Sequence, residues 1–211
     1  MDNPKPATVF LIDDDASVRR ALTRLITSAG HQVRPFASAR EYLDSGPHGG
    51  GPACLVLDVR LPGLSGLDLQ RELRTAKTPH PVIFITGHAD VPMSVKAMKE
   101  GAVDFIPKPV RDEDLLRSIE QAMTRAERES AERAEIEALQ DRAHRLTPRE
   151  REVMALVVRG LLNKQIAFEL GTAEKTVKVH RARVMQKMQV QSLAELVRVT
   201  EKIGLPPRPA S

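Results

Sequence analysis

The sequence has little of what marks secreted or membrane-embedded proteins. It contains no tryptophan and a single cysteine, Cys54, and aromatic residues make up 3% of its 211 residues. One cysteine excludes an internal disulfide framework, and its position in the apolar run 53–57 predicts a buried filler. No apolar run approaches the ~20 residues of a membrane span, and the first six residues do not resemble a signal peptide. We therefore expect a cytoplasmic protein with aliphatic cores and no membrane contact.

The apolar content of 41% is enough for real cores, and the length suggests one or two domains. The net charge is +4, but it is unevenly distributed. Residues 146–211 hold twelve Lys and Arg against six Asp and Glu, whereas residues 1–111 hold fourteen against twelve and residues 112–145 hold six against ten. A polyanionic partner is therefore expected for the last third alone.

Three consecutive carboxylates follow the first apolar run. Val9 to Ile12 has the length and the β-branched ends of a buried parallel strand, and Asp13, Asp14 and Asp15 come directly after it. Acids at the carboxyl end of a central strand lie where ligands bind in open α/β sheets. Because a divalent cation with hard oxygen ligands relieves the repulsion between crowded carboxylates, the sequence predicts a Mg²⁺ site here.

Strand and helix patterns alternate through the first 111 residues. The predicted strands are 8–12, 32–36, 53–57, 81–85 and 102–106, and the predicted helices between them are 17–29, 38–43, 67–75 and 91–99. This alternation predicts a five-stranded, doubly wound parallel α/β sheet. The glycine-rich segment 46–52 lacks the Lys-Ser/Thr that a nucleotide-binding P-loop requires, which favours a connector.

Polar residues also follow three of the other predicted strands. Asp58 ends the third strand, Thr86 the fourth, and Lys108 follows the fifth. Any one of them alone is more often a solvated residue at a loop end. Because the ends of parallel strands share one edge of the sheet, the four endings together can hold a metal, offer a nucleophile and stabilise an anion.

Residues 8–122 resemble the receiver domain of two-component response regulators. The motifs that carry the resemblance are Ile12-Asp-Asp-Asp15, Leu57-Asp-Val-Arg-Leu-Pro-Gly63, Ile85-Thr-Gly87 and Phe105-Ile-Pro-Lys-Pro109. Residues 85–93 and 97–105 are especially similar to the FixJ branch of that family. The resemblance implies a receiver with a phosphorylation site at the carboxyl edge of the sheet.

The resemblance also implies a role for each polar residue. Asp58 would accept a phosphoryl group from the phosphohistidine of a sensor histidine kinase, Thr86 would hydrogen-bond that group and Lys108 would pair with it. Phe105 would be the switch aromatic that responds to Thr86. Asp15 is expected to be a cap of the next helix or a solvent-exposed residue, and not a direct metal ligand. The implied Mg²⁺ ligands are Asp13, Asp14, Asp58 and, through its backbone carbonyl, Arg60.

Residues 112–145 predict a long, mostly exposed helix. The segment opens on an acidic turn that suits a helix N-terminus, and no Gly or Pro follows before Pro148. A possible pairing seam from Ile119 to Ile136 is interrupted by Glu129 and Arg133, so a solvated single helix is favoured over a coiled coil. Weak pairing of this helix in a dimer stays open as the alternative.

The last 66 residues predict four helices. Thr147, Pro148 and Glu150 provide a cap, a first-turn proline and a capping box for the first helix. The next helices are predicted over 164–170 with Asn163 as its cap, over 173–188 and over 193–203, followed by a frayed tail at 206–209. A short helix, a glycine turn and a longer basic helix form the helix-turn-helix pattern. In that context a recognition helix is favoured over a solvated basic helix.

This part resembles the LuxR/NarL-type DNA-binding domain. The matching motifs are Leu146-Thr-Pro-Arg-Glu-Arg-Glu152, Gly160, Asn163-Lys-Gln-Ile-Ala167, Leu170-Gly171 and Thr176-Val-Lys-Val-His180. The residues expected to contact DNA are Lys175, Thr176, Lys178, Val179, His180, Arg181, Arg183 and Lys187. By resemblance Lys178 and Val179 would approach base edges, while Arg181, Arg183 and Lys187 are candidates for phosphates.

Two positions in this domain keep alternative interpretations. His180 is either a phosphate donor or a packed histidine. Leu193, Leu196 and Val197 resemble the dimer face of the family, but packing on the core of their own domain competes with that role. Ala182 stands where some relatives carry a basic residue.

The combined prediction is a transcriptional regulator controlled by phosphorylation. The predicted parts are a receiver (1–122), a helical linker (123–145) and a LuxR-type helix-turn-helix domain (146–211). We expect no enzymatic role beyond its own phosphotransfer, a homodimer on phosphorylation, double-stranded DNA as ligand and RNA polymerase as partner of an activator. A phosphotransfer sink, a constitutive DNA binder and a protein-only interaction module are the alternatives.

Overall fold

The computed structural model describes residues 7–46, 51–75, 80–87 and 91–205. Three segments lie wholly or mostly outside the described residues: the first six residues, the predicted connector at 46–52 and the predicted tail at 206–209. The chain divides into two compact units, Met1–Ser130 and Ala131–Ser211, each with its own hydrophobic core. Among the residues that the structure describes, none of the helices has both the length and the apolar character to cross a membrane.

The first unit alternates strands and helices, as predicted. Its strands are β1 Thr8–Ile12, β2 Gln32–Phe36, β3 Ala53–Asp58, β4 Val82–Thr86 and β5 Asp104–Pro107. Its helices are α1 Ala16–Ser28, α2 Ala39–Asp44, α3 Gly66–Thr75, α4 Val91–Lys99 and α5 Asp112–His144, the last of which extends into the second unit. The strands pair in parallel in the order β2-β1-β3-β4-β5, which confirms the doubly wound sheet.

The sheet is buried on both faces because successive side chains of a strand point to opposite sides. In β1, Phe10 and Ile12 pack in the layer that includes side chains of α2, α3 and α4. Val9 and Leu11 pack in the opposite layer, with side chains of α1 and α5. Continuous apolar strands of this kind are typical of sheets covered on both faces.

Element boundaries agree with the predicted ones to within two residues. Asp15 is the N-cap of α1, as expected, because its carboxylate accepts hydrogen bonds from the N–H groups of Ser17 and Val18 at 2.7 and 3.3 Å. The prediction for β5 was wrong at its start, since the strand begins at Asp104 and not at residue 102. Strand ends carry weak sequence signals and shift by one or two residues.

Helix α5 is buried at both ends. Ile119, Ala122 and Ala126 are buried in the first unit, with at most 3% of their surface exposed. Leu139 and Ala143 are buried in the second unit. The solvated part of the predicted linker is therefore its middle, and the apolar start of the possible pairing seam is already used inside the chain. The boundaries after residues 122 and 145 stay predictions.

The second unit is helical and begins within α5. Its remaining helices are α6 Pro148–Val158, α7 Asn163–Glu169, α8 Glu174–Met188 and α9 Leu193–Lys202. The capping box of Thr147 and Glu150 forms as predicted. The core contains the predicted inward residues of α8, which are Val177, Val184 and Met188.

One prediction in this unit was wrong in detail, and one open alternative is decided. Asn163 is not the cap of α7 but its first helical residue, because the Gln165 side chain accepts the N–H of Leu162 at 2.8 Å and the Asn163 oxygen accepts a hydrogen bond from Arg181 at 3.2 Å. Leu196 is fully buried in the core of the unit, so it cannot serve as an exposed dimer contact in this fold. Leu193 keeps 37% of its surface exposed.

Candidate functional site

Strand register brings the predicted polar endings together at one edge of the sheet. Ile12 pairs with Leu57, so the next residues on β1 and β3, Asp13 and Asp58, are neighbours. Asp58 pairs with Ile85, which places Thr86 at the next strand end. Thr86 in turn pairs with Pro107, and the Lys108 N–H donates to the Thr86 carbonyl at 2.7 Å. The adjacency of β1, β3, β4 and β5 thus orders the site.

The ammonium of Lys108 lies between two carboxylates. Its Nζ atom is 2.7 Å from Oδ2 of Asp13 and 2.5 Å from Oδ2 of Asp58. Asp13 has no exposed surface, and Asp58 keeps only 5%. The ion pairs compensate for much of the cost of burying these charges.

Burial and pairing act in opposite directions on the two partners. Burial raises the pKa of the Asp13 carboxyl above its usual value, although the hydrogen bond and charge of Lys108 oppose the shift. Burial by itself would lower the pKa of Lys108, but the hydrogen bonds and charges of Asp13 and Asp58 outweigh it and raise that pKa. The lysine therefore keeps its proton and remains a fixed cation.

Three carboxylates converge in a way that suits a divalent cation. Asp13, Asp14 and Asp58 each offer an oxygen atom, and these atoms all lie within 4.8 Å of one another. Asp14 is exposed, whereas the other two are buried. An all-oxygen set that is open to solvent on one side fits Mg²⁺, which keeps several of its waters.

Hydrogen bonds from the chain fix the orientation of these carboxylates. The Asp15 N–H donates to Oδ1 of Asp13 and the Arg60 N–H donates to Oδ1 of Asp58, both at 2.9 Å. In each case one oxygen is held by the backbone and the other faces Lys108. The ligand role of the Arg60 carbonyl stays a prediction.

Arg19 is a part of the site that the sequence did not reveal. From α1 its Nη1 atom donates to the backbone carbonyls of Asp13 and Asp14 at 2.7 and 3.0 Å. These two hydrogen bonds hold the turn between β1 and α1 in place. The signal for Arg19 in the sequence is no more than a basic residue in the first turns of a helix.

Gly66 is a second residue whose role appeared only in three dimensions. A Cβ atom at this position would overlap the backbone carbonyl oxygen of Asp58 and lie 3.1 Å from Cγ of Leu57. Its N–H donates to the Val59 carbonyl at 3.1 Å, which closes the loop after β3. The start of α3 can therefore approach the phosphoacceptor candidate only without a side chain.

The two predicted switch residues flank the site. Thr86 is fully buried at the end of β4. Phe105 is half-buried on β5 and its ring centroid lies 6.1 Å from that of Phe84. Asp104, just before it, accepts a hydrogen bond from the hydroxyl of the buried Ser118 at 2.5 Å and so ties β5 to α5.

Helix α8 presents most of the predicted DNA contacts to solvent. The exposed members of the set are Lys175, Thr176, Lys178, Val179 and Arg183. Lys178 pairs with Glu174 one turn earlier at 3.2 Å, a pair of exposed side chains that contributes little to stability and can open. These residues are therefore accessible to a ligand.

The remaining three predicted contacts have partners or cover inside the unit. Lys187 donates to the buried carboxylate of Glu150 at 2.6 Å, and Arg181 donates to Asn163 at 3.2 Å. Nδ1 of His180 is buried without a hydrogen bond among the described residues, as in a packed ring. Contacts of all eight residues with DNA stay predictions.

Comparison with known proteins tests the two family resemblances found in the sequence. Residues 9–120 match the response regulator receiver domain, and residues 144–200 match the LuxR family of bacterial regulatory proteins. Nodulation protein W of Bradyrhizobium diazoefficiens is 51% identical over 94% of this chain and 87% of its own length. The chain belongs to the two-component response regulators with a LuxR-type DNA-binding domain.

Other relatives of this regulator match over nearly the whole chain. The transcriptional regulatory protein FixJ of Bradyrhizobium diazoefficiens is 44% identical over 93% of this chain and 96% of its own length. Among solved structures, response regulator StyR is 47% identical and aligns with a TM-score of 0.81 over 93% of this chain and 99% of that one. The regulator therefore combines a receiver with a DNA-binding domain and acts in the control of transcription by a two-component system.

Proposed function

We propose that Asp58 accepts a phosphoryl group from the phosphohistidine of a sensor histidine kinase. The observation that carries this proposal is the position of Lys108 between Asp13 and Asp58 in the acidic group. In the step, the P–N bond of the donor breaks while a carboxylate oxygen of Asp58 forms a P–O bond, and the donor histidine leaves as a neutral imidazole after taking up a proton from solvent.

The residues around Asp58 would position this transfer. Asp13, Asp14, Asp58 and the Arg60 carbonyl would hold Mg²⁺, which supplies neutralisation of the charge on the phosphoryl oxygens. Lys108 would exchange its contact with Asp58 for a phosphoryl oxygen, because the added group carries the larger negative charge. The receiver is proposed to support only this phosphotransfer.

The response would pass from Thr86 and Phe105 to helix α4. When the Thr86 hydroxyl moves toward the phosphoryl group, it leaves space that the Phe105 ring can fill. On α4, Val91, Val95 and Met98 expose 75%, 46% and 46% of their surface at helical spacing. An exposed apolar stripe of this kind suits the apolar centre of a larger homodimer contact formed on phosphorylation.

Dimerisation would bring two copies of α8 to paired half-sites on double-stranded DNA. Lys178 and Val179 would approach the base edges, and a two-fold dimer requires an inverted-repeat operator. We propose activation of transcription through RNA polymerase, in the cytoplasm where that DNA lies. The basic charge of residues 146–211 supports the DNA half of this proposal.

The phosphorylation step is tested with a small phosphodonor and Mg²⁺. Asp58→Asn in the full chain should abolish labelling, while its unfolding temperature stays near that of the wild type. Asp44→Asn is the matched control, because Asp44 is an exposed residue on α2 that pairs with Arg40, and it should be labelled normally. Labelling of the Asp58→Asn variant would overturn the assignment.

The output step is tested by DNA affinity with and without phosphorylation. Lys178→Ala should weaken DNA binding and reduce its salt dependence. Arg198→Ala removes an exposed basic side chain on α9 and should change DNA affinity little. Phosphorylation should raise DNA affinity, dimerisation or transcription. Absence of all three effects would favour a phosphotransfer sink or a constitutive DNA binder, and absence of DNA binding would favour a protein-only module.

A further inference from the structure

Phe168 on helix α7 is an aromatic side chain in water. It exposes 92% of its surface, and it is the only Phe, Tyr or Trp after residue 130 in the sequence. The other aromatic residues of the chain lie in the first unit, where Phe10, Phe36, Tyr42 and Phe84 are buried. A large exposed aromatic group gains nothing from the fold and is typical of an interface anchor.

The surroundings of Phe168 form a shallow apolar groove. It has a volume of about 480 Å³ and is lined by Leu161, Lys164, Gln165, Phe168 and Glu169. Leu162, at the start of the same helix, exposes 69% of its surface. We call these six residues the outer face of α7.

Phe168 and Leu162 of the outer face take no part in the core of the second unit, although Leu161 packs against it. The core side of α7 is formed by Ile166 and Ala167, which expose 0% and 7% of their surface. Asn163 on the inner side accepts the hydrogen bond from Arg181 of α8. Because α7 already packs through its other side, replacement of Phe168 should leave the fold intact.

The charge of the groove argues against DNA as its occupant. Lys164 is the basic residue of the lining and Glu169 the acidic one, and the Glu169 carboxylate lies 3.7 Å from Nη1 of Arg159. A phosphate-binding surface requires a basic excess, which α8 has and this groove lacks. An apolar centre with a balanced rim is the pattern of a protein contact.

The size of the groove argues against a stable dimer through this face. A stable interface uses about 800 Å² and roughly 20–30 residues on each partner, far more than six side chains provide. A contact this small needs a tether that raises its effective concentration. The outer face belongs to the helix that precedes α8 and is bonded to it, so a protein bound to the neighbouring DNA would have that tether.

We propose that the outer face of α7 is an activating surface, in which Phe168 and Leu162 dock into an apolar pocket of an RNA polymerase subunit on the adjacent promoter. This inference rests on the proposed function as an activator that binds DNA through α8. It adds the surface by which the bound regulator recruits the polymerase. The polymerase pocket is expected to be apolar with a mixed-charge rim.

The test uses the full chain, purified RNA polymerase and an operator selected from random DNA and placed beside a core promoter. Phe168→Ser should lower phosphorylation-dependent transcription at least tenfold. Its phosphorylation by a small phosphodonor, its dimerisation and its DNA affinity should stay within about twofold of the wild type. Phe168→Leu should retain most of the activation, and Leu205→Ser, which changes another apolar residue with 46% exposure, should retain all of it.

The outcomes separate this inference from the proposed function. A wild-type chain that binds the operator without raising transcription would overturn activation and the docking surface together. Normal transcription by Phe168→Ser would overturn the surface alone. Loss of DNA affinity in Phe168→Ser would assign the outer face to DNA, and loss of dimerisation would assign it to a second copy. If Phe168→Ser bound DNA without phosphorylation, the outer face would be assigned to an inhibitory contact within the chain. Each of these results contradicts polymerase docking.

Discussion

Arg19 holds Asp13 by its backbone, with Nη1 of the guanidinium 2.7 Å from the Asp13 carbonyl oxygen. The same nitrogen reaches the Asp14 carbonyl at 3.0 Å. Two of the four residues that carry the proposed Mg²⁺ ligands are therefore positioned by one donor from the following helix. The geometry of the carboxylates depends on a residue outside the proposed ligand set.

Arg19→Ala should weaken Mg²⁺ binding about tenfold, since loss of a group that orients metal ligands costs 10–100-fold in affinity. Calorimetric titration with Mg²⁺ and the Mg²⁺ dependence of labelling by a phosphodonor measure the effect. Arg20→Ala is the matched control, because Arg20 is an exposed neighbour that bonds Ser17 of its own helix. Equal Mg²⁺ affinity in both variants would show that the turn is held without Arg19.

Gly66→Ala should disturb the phosphoacceptor region, because the new methyl group would overlap the Asp58 carbonyl. We expect a loss of about 1–3 kcal/mol in the free energy of unfolding, as for an overpacked core, together with slower phosphorylation. Gly87→Ala is a control, since a Cβ atom there meets no atom within 4 Å among the described residues. Urea denaturation and labelling rates give the two readouts, and unchanged values for Gly66→Ala would contradict the packing argument.

Glu150→Gln should destabilise the second unit, because Glu150 is buried and bonds both Lys187 and the Thr147 N–H. A loss of about 1–3 kcal/mol in unfolding free energy is expected for a buried hydrogen-bonded group. Glu152→Gln removes only an exposed pair with Arg149 and should cost less than about 1 kcal/mol. Denaturation of the full chain followed by helical circular dichroism measures both.

The same carboxylate should make stability depend on acid. The hydrogen bond from Lys187 lowers the pKa of Glu150 below its usual value, so its contribution is present above the pKa of the unfolded chain and is lost as the pH falls through the folded-state value. The stability difference between the wild type and Glu150→Gln should therefore be complete at pH 7 and shrink below about pH 4. A stability difference that stays constant over this pH range would show that the ion pair does not cause it.

Cys54 should resist thiol reagents in the native chain. It has no exposed surface, and burial raises the pKa of its thiol to about 12, so the reactive thiolate is scarce at pH 8. A disulfide reagent should modify one thiol per chain after unfolding in guanidinium and much less than that in native buffer over the same time. Rapid modification of the native chain would contradict the buried position.

Local patterns were enough to predict the strands and their polar endings. Val9 to Ile12 is apolar and β-branched at its ends, and the acids that follow it can only lie at a strand end, so the edge of the sheet was predictable. The cap of Thr147 and Glu150 was predictable for the same reason, because its geometry lies within four consecutive residues. Interactions of this kind are encoded within a few positions.

Other features depended on competition that the sequence does not show. Asn163 is a residue type typical of helix caps, but its side-chain oxygen accepts a hydrogen bond from Arg181. The Leu162 N–H donates instead to the Gln165 side chain. Leu196 resembles a residue of the family's dimer face, with packing on its own core as the alternative, and the core of the unit buries it. In both cases a partner far along the chain, or a neighbour with a longer side chain, decided the outcome.

The sequence by itself determined the order of the elements, the two domain types and the polar residues at the ends of the strands, because hydrophobic period and capping chemistry are local. Tertiary structure decided which of those residues meet. Lys108 contacts Asp13 and Asp58 across 95 and 50 positions of sequence, Arg19 folds back on its own turn, and Phe168 stays in water while Ile166 beside it is buried. Distances and exposure follow from packing of the whole chain, and packing is fixed only when all elements are in place.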